Sequence, residues 1–141
     1  MKLKIKRLTD TAKLPIKGTE GSAGYDLFVD SIEIFTTEHT VCHKYKFGIA
    51  AEIPYGYVGL LCPRSSIWKT EQVLANSVGV IDPDYRGEIM AVMRGVPLTH
   101  YKVGERAIQL VIVPAPELEI IETDRLSNTI RGAGGFGSTG I

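Results

Sequence analysis

The sequence predicts an all-β fold, a sandwich or barrel, and three observations carry that prediction. Short apolar or alternating segments recur at fairly regular spacing: Leu3 to Leu8, Ala23 to Phe28, Ile32 to Phe35, Lys44 to Ala50, Tyr57 to Leu61, Val78 to Ile81, Glu88 to Met93, Tyr101 to Val103, Ala107 to Val113 and Leu118 to Ile121. Fifteen glycines and seven prolines punctuate them, so turns rather than helices join the elements. The third observation is length: 141 residues without repeat or linker fit a single domain, 1–141, which buries roughly 68% of the surface its unfolded chain exposes.

Charge narrows the function classes. Sixteen basic residues balance sixteen acidic ones, so no global field favours nucleic acid or an anionic membrane, and any phosphate site must be local. The opening MKLKIKRL is basic but leads into no apolar leader, and no stretch approaches the roughly 20 apolar residues of a membrane span. The expectation is a soluble, intracellular protein. Cys42 and Cys62 form no CxxC pair and read as reduced packing residues. His39, His43 and His100 form no metal constellation and are assigned no role.

In chain order, Ser22 to Leu27 (SAGYDL) is the first unusual segment, with small residues that let backbone pass close to something and Asp26 heading a strand. A tight bend capped by Asp26 would look the same. At Cys62 to Ile67 (CPRSSI), proline ends a strand and Ser65 or Ser66 opens the one helix candidate, Ser65 to Leu74. Helix starts bind anions through free N–H groups, and Arg64 adds charge there, although a capped helix with a surface arginine has the same sequence.

The densest stretch is Leu74 to Ile89, LANSVGVIDPDYRGEI. A short buried strand ends in the turn Asp82-Pro83-Asp84, and a second strand resumes at Glu88, giving a hairpin-like loop with Asn76, Asp82 and Tyr85 around it. An amide edge and a phenol face suit a planar polar ligand; a polar β-turn is the plainer alternative. Gln109 is the odd polar residue inside Ala107 to Val113, satisfied either by backbone or by a ligand. The ending, Arg131 to Ile141, is too glycine-rich to fold into a core, yet its N–H groups can approach a phosphate as a nest does. It carries no GxxxxGK[ST] spacing.

Five segments now stand in order: AGYDL, PRSS, LANSVGVIDPDYRGE, GERAIQL and RGAGGFGSTG. Together they resemble the trimeric deoxyuridine triphosphatase (dUTPase) family, across nearly the whole chain. The resemblance implies a β jelly-roll, a homotrimer with active sites at subunit interfaces, and a flexible C-terminal arm, 130–141, that closes a neighbour's site. It implies hydrolysis of dUTP to dUMP and pyrophosphate, which limits uracil incorporation into DNA and supplies dUMP for thymidylate synthesis, with magnesium on the triphosphate.

Carried over by position, the resemblance makes Asp82 the carboxylate that deprotonates the attacking water, and Asp26 the acid that steadies magnesium through its water shell. Asn76 reads the uracil edge together with backbone groups, Val80 among them, and Tyr85 lies against the deoxyribose. Arg64, Ser65, Ser66 and Gln109 contact phosphates. Arg131, Phe136, Gly137, Ser138 and Thr139 form the arm, with the Phe136 ring over uracil. Asp84 is expected to support Arg86 or the turn.

Two positions depart from the family pattern. Ser66 stands where glycine is common, and Ala107-Ile108 reverses the usual order, which in a regular strand swaps a large and a small side chain between faces. Two other activities share the pattern in part: a deoxycytidine triphosphate deaminase-like enzyme, which the glycine-rich ending and the LANSVGVID segment argue against, and a non-catalytic nucleotide-sensing module.

Overall fold

The structure, a computed structural model, describes residues 1–95, 100–135 and 138. Its strands are β1 (Lys4–Arg7), β2 (Gly24–Phe28), β3 (Ser31–Thr36), β4 (Val41–Lys46), β5 (Ile49–Glu52), β6 (Tyr57–Pro63), β7 (Gln72–Leu74), β8 (Gly79–Ile81), β9 (Met90–Gly95) and β10 (Arg106–Pro114). Two four-stranded sheets, ordered β2-β10-β6-β8 and β3-β4-β9-β7, share one apolar core, and β1 pairs with β5 beside them. All pairings between these strands are antiparallel. The all-β prediction and its jelly-roll form hold. Among the described residues no helix is long and apolar enough to cross a membrane.

Alternation explains most strands. On β10, Ile108 and Leu110 are buried between half-exposed Gln109 and Val111, and on β6 Leu61 is buried between Leu60 and Cys62. Tyr45, Phe47, Ile49, Ile53, Ile89 and Met93 complete the centre of the core.

Several expected elements differ. Lys44 to Ala50 is broken at Gly48, whose φ of +62° disfavours side chains and whose added Cβ would meet Asp30 Oδ2 and Thr9 Oγ1 at 2.8 Å. The helix expected over Ser65 to Leu74 is a five-residue 3-10 turn, Ser65–Lys69, followed by β7. Its N-cap is Arg64, with no side-chain cap, so neither serine caps it. Tyr101 to Val103 is not a strand, though Tyr101 is buried. Leu118 to Ile121 forms no strand either: the chain after β10 is exposed, with Leu118, Ile120 and Ile121 at 80%, 96% and 73%. Nor do β8 and β9 form a hairpin, because β8 pairs with β6 while β9 pairs with β4 and β7.

The reversed Ala107-Ile108 order does not swap faces. A register slip between Arg106 and Ile108 inserts an extra residue against β2, and both Ala107 and Ile108 are buried.

Cys42 and Cys62 are both free thiols. His43, given no role in the sequence reading, is fully buried on β4 in a chain of polar groups. The Tyr101 N–H donates to Tyr45 Oη (3.2 Å), Tyr45 Oη donates to Gln72 Oε1 (2.8 Å), and Gln72 Nε2 donates to His43 Nδ1 (3.0 Å). That sequence leaves the imidazole proton on Nε2, which has no hydrogen-bond partner among the described residues. The His100 ring stacks on His43 at 5.1 Å. Burial, and secondarily His100, hold the His43 pKa below its ordinary value.

An unfolded chain therefore takes up this proton near pH 6.5 while the folded one resists it, so the stabilisation is complete above about 6.5 and is lost as pH falls towards the folded pKa. Thermal unfolding followed from pH 7 to pH 5 should show the melting temperature falling more in the parent than in His43→Gln. Parallel curves would remove His43 from that role.

Candidate active site

Among the described residues β8 is an edge strand, so one row of its backbone donors and acceptors has no strand partner there. Beside it lies a cavity of about 240 Å³ lined by Leu61, Asn76, Gly79, Val80, Ile81, Asp82, Tyr85, Glu88 and Met90. Four residues expected from the sequence, Asn76, Val80, Asp82 and Tyr85, thus come together on one hollow. A second, more apolar hollow of about 410 Å³ adjoins it, sharing Leu61, Asn76, Gly79 and Met90.

Local backbone chemistry builds the walls. The Tyr85 N–H closes a turn onto the Asp82 carbonyl at 3.2 Å, and Tyr85 Oη donates to the Glu88 carbonyl at 2.9 Å. The phenol lies over Gly87, where an added Cβ would meet Tyr85 Oη at 2.4 Å. Arg86 braces the turn through the carbonyls of Pro83 (2.6 Å) and Tyr85 (3.0 Å), and Asp84 takes no part in that bracing. The Asp82 carboxylate is exposed and has no hydrogen-bond or ion-pair partner among the described residues, so its oxygens are available to a water.

A second group forms where β2, β10 and the end of β6 meet. Asp26, only 7% exposed, accepts from Arg64 Nε at Oδ1 (2.9 Å) and from Arg106 Nη1 at Oδ2 (3.1 Å). Arg64 Nη1 also donates to the Arg106 carbonyl at 3.2 Å. Gln109 lies opposite Asp26 in register, and its Nε2 donates to the Pro63 carbonyl at 3.0 Å. Gln109 folds against Gly24, where a Cβ would stand 2.3 Å from its Oε1. Backbone thus takes one Nε2 proton of Gln109, its Oε1 faces the bare glycine, and the second Nε2 proton is left for a ligand. The hydroxyls of Ser65, exposed, and Ser66, half-buried, make no hydrogen bond to another described residue.

Arg106 was not among the residues the sequence singled out for a role. The signal available was its place three residues before Gln109, a spacing that shares a strand face only across a bulge.

The arm is represented by Arg131, whose Nε donates to the Gly134 carbonyl at 2.9 Å, and by Ser138, whose N–H donates to the Gly135 carbonyl at 3.1 Å. Both residues are exposed. Phe136, Gly137 and Thr139 lie outside the described residues.

The two groups stand apart within one chain. Gly79 pairs with Leu61 and Ile81 with Gly59, so Asp82 leaves β8 past Val58, while Arg64 follows the opposite end of β6. Six residue steps from Val58 to Arg64 correspond to about 20 Å of extended chain, well beyond one triphosphate.

The dUTPase family model matches residues 10–140. The chain belongs to the dUTPase family. A deoxyuridine 5'-triphosphate nucleotidohydrolase of Hydrogenobaculum sp. is 43% identical over 147 residues, covering 100% of this chain and 99% of its own length. One from Yarrowia lipolytica is 34% identical, with 100% and 90% covered. Among solved structures, a dUTPase of Staphylococcus bacteriophage 80alpha with dUPNHPP superposes with a TM-score of 0.84 at 29% identity, covering 99% of both chains. A mutant dUTPase from phage phi11 of S. aureus, described with a structural Mg(II) ion, superposes with a TM-score of 0.75 at 25% identity, covering 89% of this chain and 98% of its own.

The glycine contact gives this dUTPase-family chain a testable weak point. Gly24→Ala forces Gln109 off its seat and should cost about 1 to 3 kcal/mol of stability, as overpacking does. Adding Gln109→Ala should recover part of that loss in denaturant unfolding. Strictly additive losses would mean that Gly24 is required by something other than Gln109.

Proposed function

We propose that the chain hydrolyses dUTP to dUMP and pyrophosphate, binding uracil in the hollow beside β8. The observation that carries this reading is the convergence of Asn76, the free edge of β8, Tyr85 and an unpaired Asp82 carboxylate on one cavity of about 240 Å³. An edge strand offers alternating donors and acceptors, which with the Asn76 amide can match one pyrimidine's pattern and mismatch cytosine. A volume below the roughly 300 Å³ of ordinary ligand pockets suits a single small ring and disfavours an added methyl. The Tyr85 ring, fixed by Glu88 and Gly87, is the surface on which a deoxyribose rests and against which a 2′-hydroxyl is crowded.

Asp82 acts as general base: it accepts a proton from a water that attacks the α-phosphorus in line, and pyrophosphate leaves. Arg64, Ser65, Ser66 and Gln109 receive the phosphates through guanidinium, hydroxyl and amide groups. Among the described residues no three His, Cys, Asp or Glu side chains are grouped to hold a metal, and Asp26 already shares both oxygens with arginines. This donor set fits no protein-built cage; it fits magnesium carried on substrate phosphates, with Asp26 reached through water at most. Such an ion supplies charge neutralisation on the triphosphate.

Because Asp82 and Arg64 lie at opposite ends of β6, the working site is assembled between copies, in a homotrimer. Two surfaces support that assembly. The outer face of the β2-β10-β6-β8 sheet carries Val58, Leu60, Val80, Val111 and Val113, with Val80 60% exposed. The chain after β10 adds Leu118, Ile120, Ile121, Leu126 and Ile130, all exposed, more apolar surface than a lone soluble chain usually shows in one segment. Residues 130–141 then close a neighbouring site, Arg131, Ser138 and Thr139 gripping the terminal phosphate, Gly137 allowing close backbone approach and Phe136 covering uracil.

Two outcomes follow. Asp82→Asn should lower turnover of dUTP by roughly 10²- to 10⁴-fold with little change in binding, the usual contribution of a general base; a near-normal rate removes Asp82 from the role. Deletion of 132–141 should leave a folded, assembled protein that releases pyrophosphate poorly from dUTP, and full activity in the truncated chain would refute the arm's part.

A further inference from the structure

The Asp26 group contains a closed ring of interactions. Arg64 Nε donates to Asp26 Oδ1, Arg106 Nη1 donates to Asp26 Oδ2, and Arg64 Nη1 donates to the Arg106 carbonyl, at 2.9, 3.1 and 3.2 Å. The Arg64 guanidinium is therefore fixed along two edges by groups on two different strands, while its Nη2 has no partner among the described residues. Two positive charges and one negative leave a net +1 on the ring, on the sheet face that carries Gln109.

The backbone is irregular in a way that builds this ring. Arg106 and Gln109 are three residues apart and would point to opposite faces of a regular strand. The register slip between Arg106 and Ile108 brings both to the Asp26 face, at the expense of regular pairing with β2. Asp26 is 7% exposed, and a carboxylate so buried needs its charge shared; the bulge delivers the second guanidinium that shares it.

We propose that Arg106 is a positioning residue of the triphosphate site: through Asp26 and its own carbonyl it holds the Arg64 guanidinium aimed at phosphate oxygens before substrate arrives. The proposal rests on the dUTP reading given above. A free arginine loses rotamer freedom on binding, and pre-orientation removes much of that loss. Asp26 on this account is an anchor for arginines, which is why its oxygens are spent on them.

A double-mutant cycle decides the matter. Affinity for a non-hydrolysable imido analogue of dUTP is measured in the parent, Arg106→Met, Arg64→Met and the double variant. Arg106→Met should weaken binding by roughly tenfold or more, the scale of one charged hydrogen bond. In the Arg64→Met background the same change should cost less than about twofold, because there is no guanidinium left to orient. Losses that multiply would show that Arg106 acts independently of Arg64 and overturn the proposal. If Arg106→Met does not fold, Arg106→Lys runs the same cycle with a smaller first loss. A second arm needs no nucleotide: the Arg64 Nε–H resonance should exchange slowly with solvent in the parent and faster in either Arg106 variant. Unchanged exchange would also overturn it. A parent chain that bound no analogue would count against the dUTP reading alone, with the Nε–H arm still deciding whether Arg106 orders Arg64.

Discussion

Strand β6 acts as a ruler on which the chemistry is laid out. Antiparallel pairing with β8 brings Asp82 near one end, and Pro63 delivers Arg64 beyond the other. Side-chain reach cannot close a gap of about 20 Å, because extended chain advances about 3.3 Å per residue and the strand is held on both sides. The other features are laid out along the same ruler: a hollow of about 240 Å³ beside β8, the Asp26–Arg64–Arg106 group past Pro63, an apolar row on the outer sheet face, and an exposed apolar tail after β10.

Small residues and one irregularity set the fine geometry. Gly24 leaves room for Gln109 to lie down onto the Pro63 carbonyl, and Gly87 leaves room for the Tyr85 ring. A Cβ on either glycine would strike that side chain, so each glycine specifies a side-chain pose. The bulge in β10 does the same for Arg106, spending strand regularity to bring a guanidinium onto Asp26. Packing, rather than local sequence preference, decides where the polar groups point.

Much of this was legible in the sequence for a physical reason. Alternation and turn residues are local signals, and they located β1, β2, β3, β6 and β10 to within a few residues. Asn76, Asp82 and Tyr85 were legible as a group because they fall close together in sequence, on either side of β8. What was missed depends on distant partners. Gly48 breaks its segment because Thr9, Ala12 and Asp30 crowd it, β7 is a strand because β9 pairs with it, and His43 is buried by Tyr45, Gln72 and His100. Leu118 to Ile121 reads as a strand from its composition, yet none of the described strands pairs with it. The same holds for Arg106, whose importance depends on a register slip that no local pattern announces.

The central claim is that the two ends of β6 serve different sites, each completed by another copy. Mixed assemblies of two inactive chains test it most directly. Asp82→Asn and Arg64→Met chains are unfolded together, refolded as a mixture, and compared with each chain refolded alone in a dUTP pyrophosphate-release assay. Recovery of a substantial fraction of parental activity in the mixture alone is the predicted result, since some sites then join an intact Arg64 from one copy to an intact Asp82 from another. A mixture no more active than its parts, with mixed assemblies present, would place both residues in the same chain's site and contradict the account.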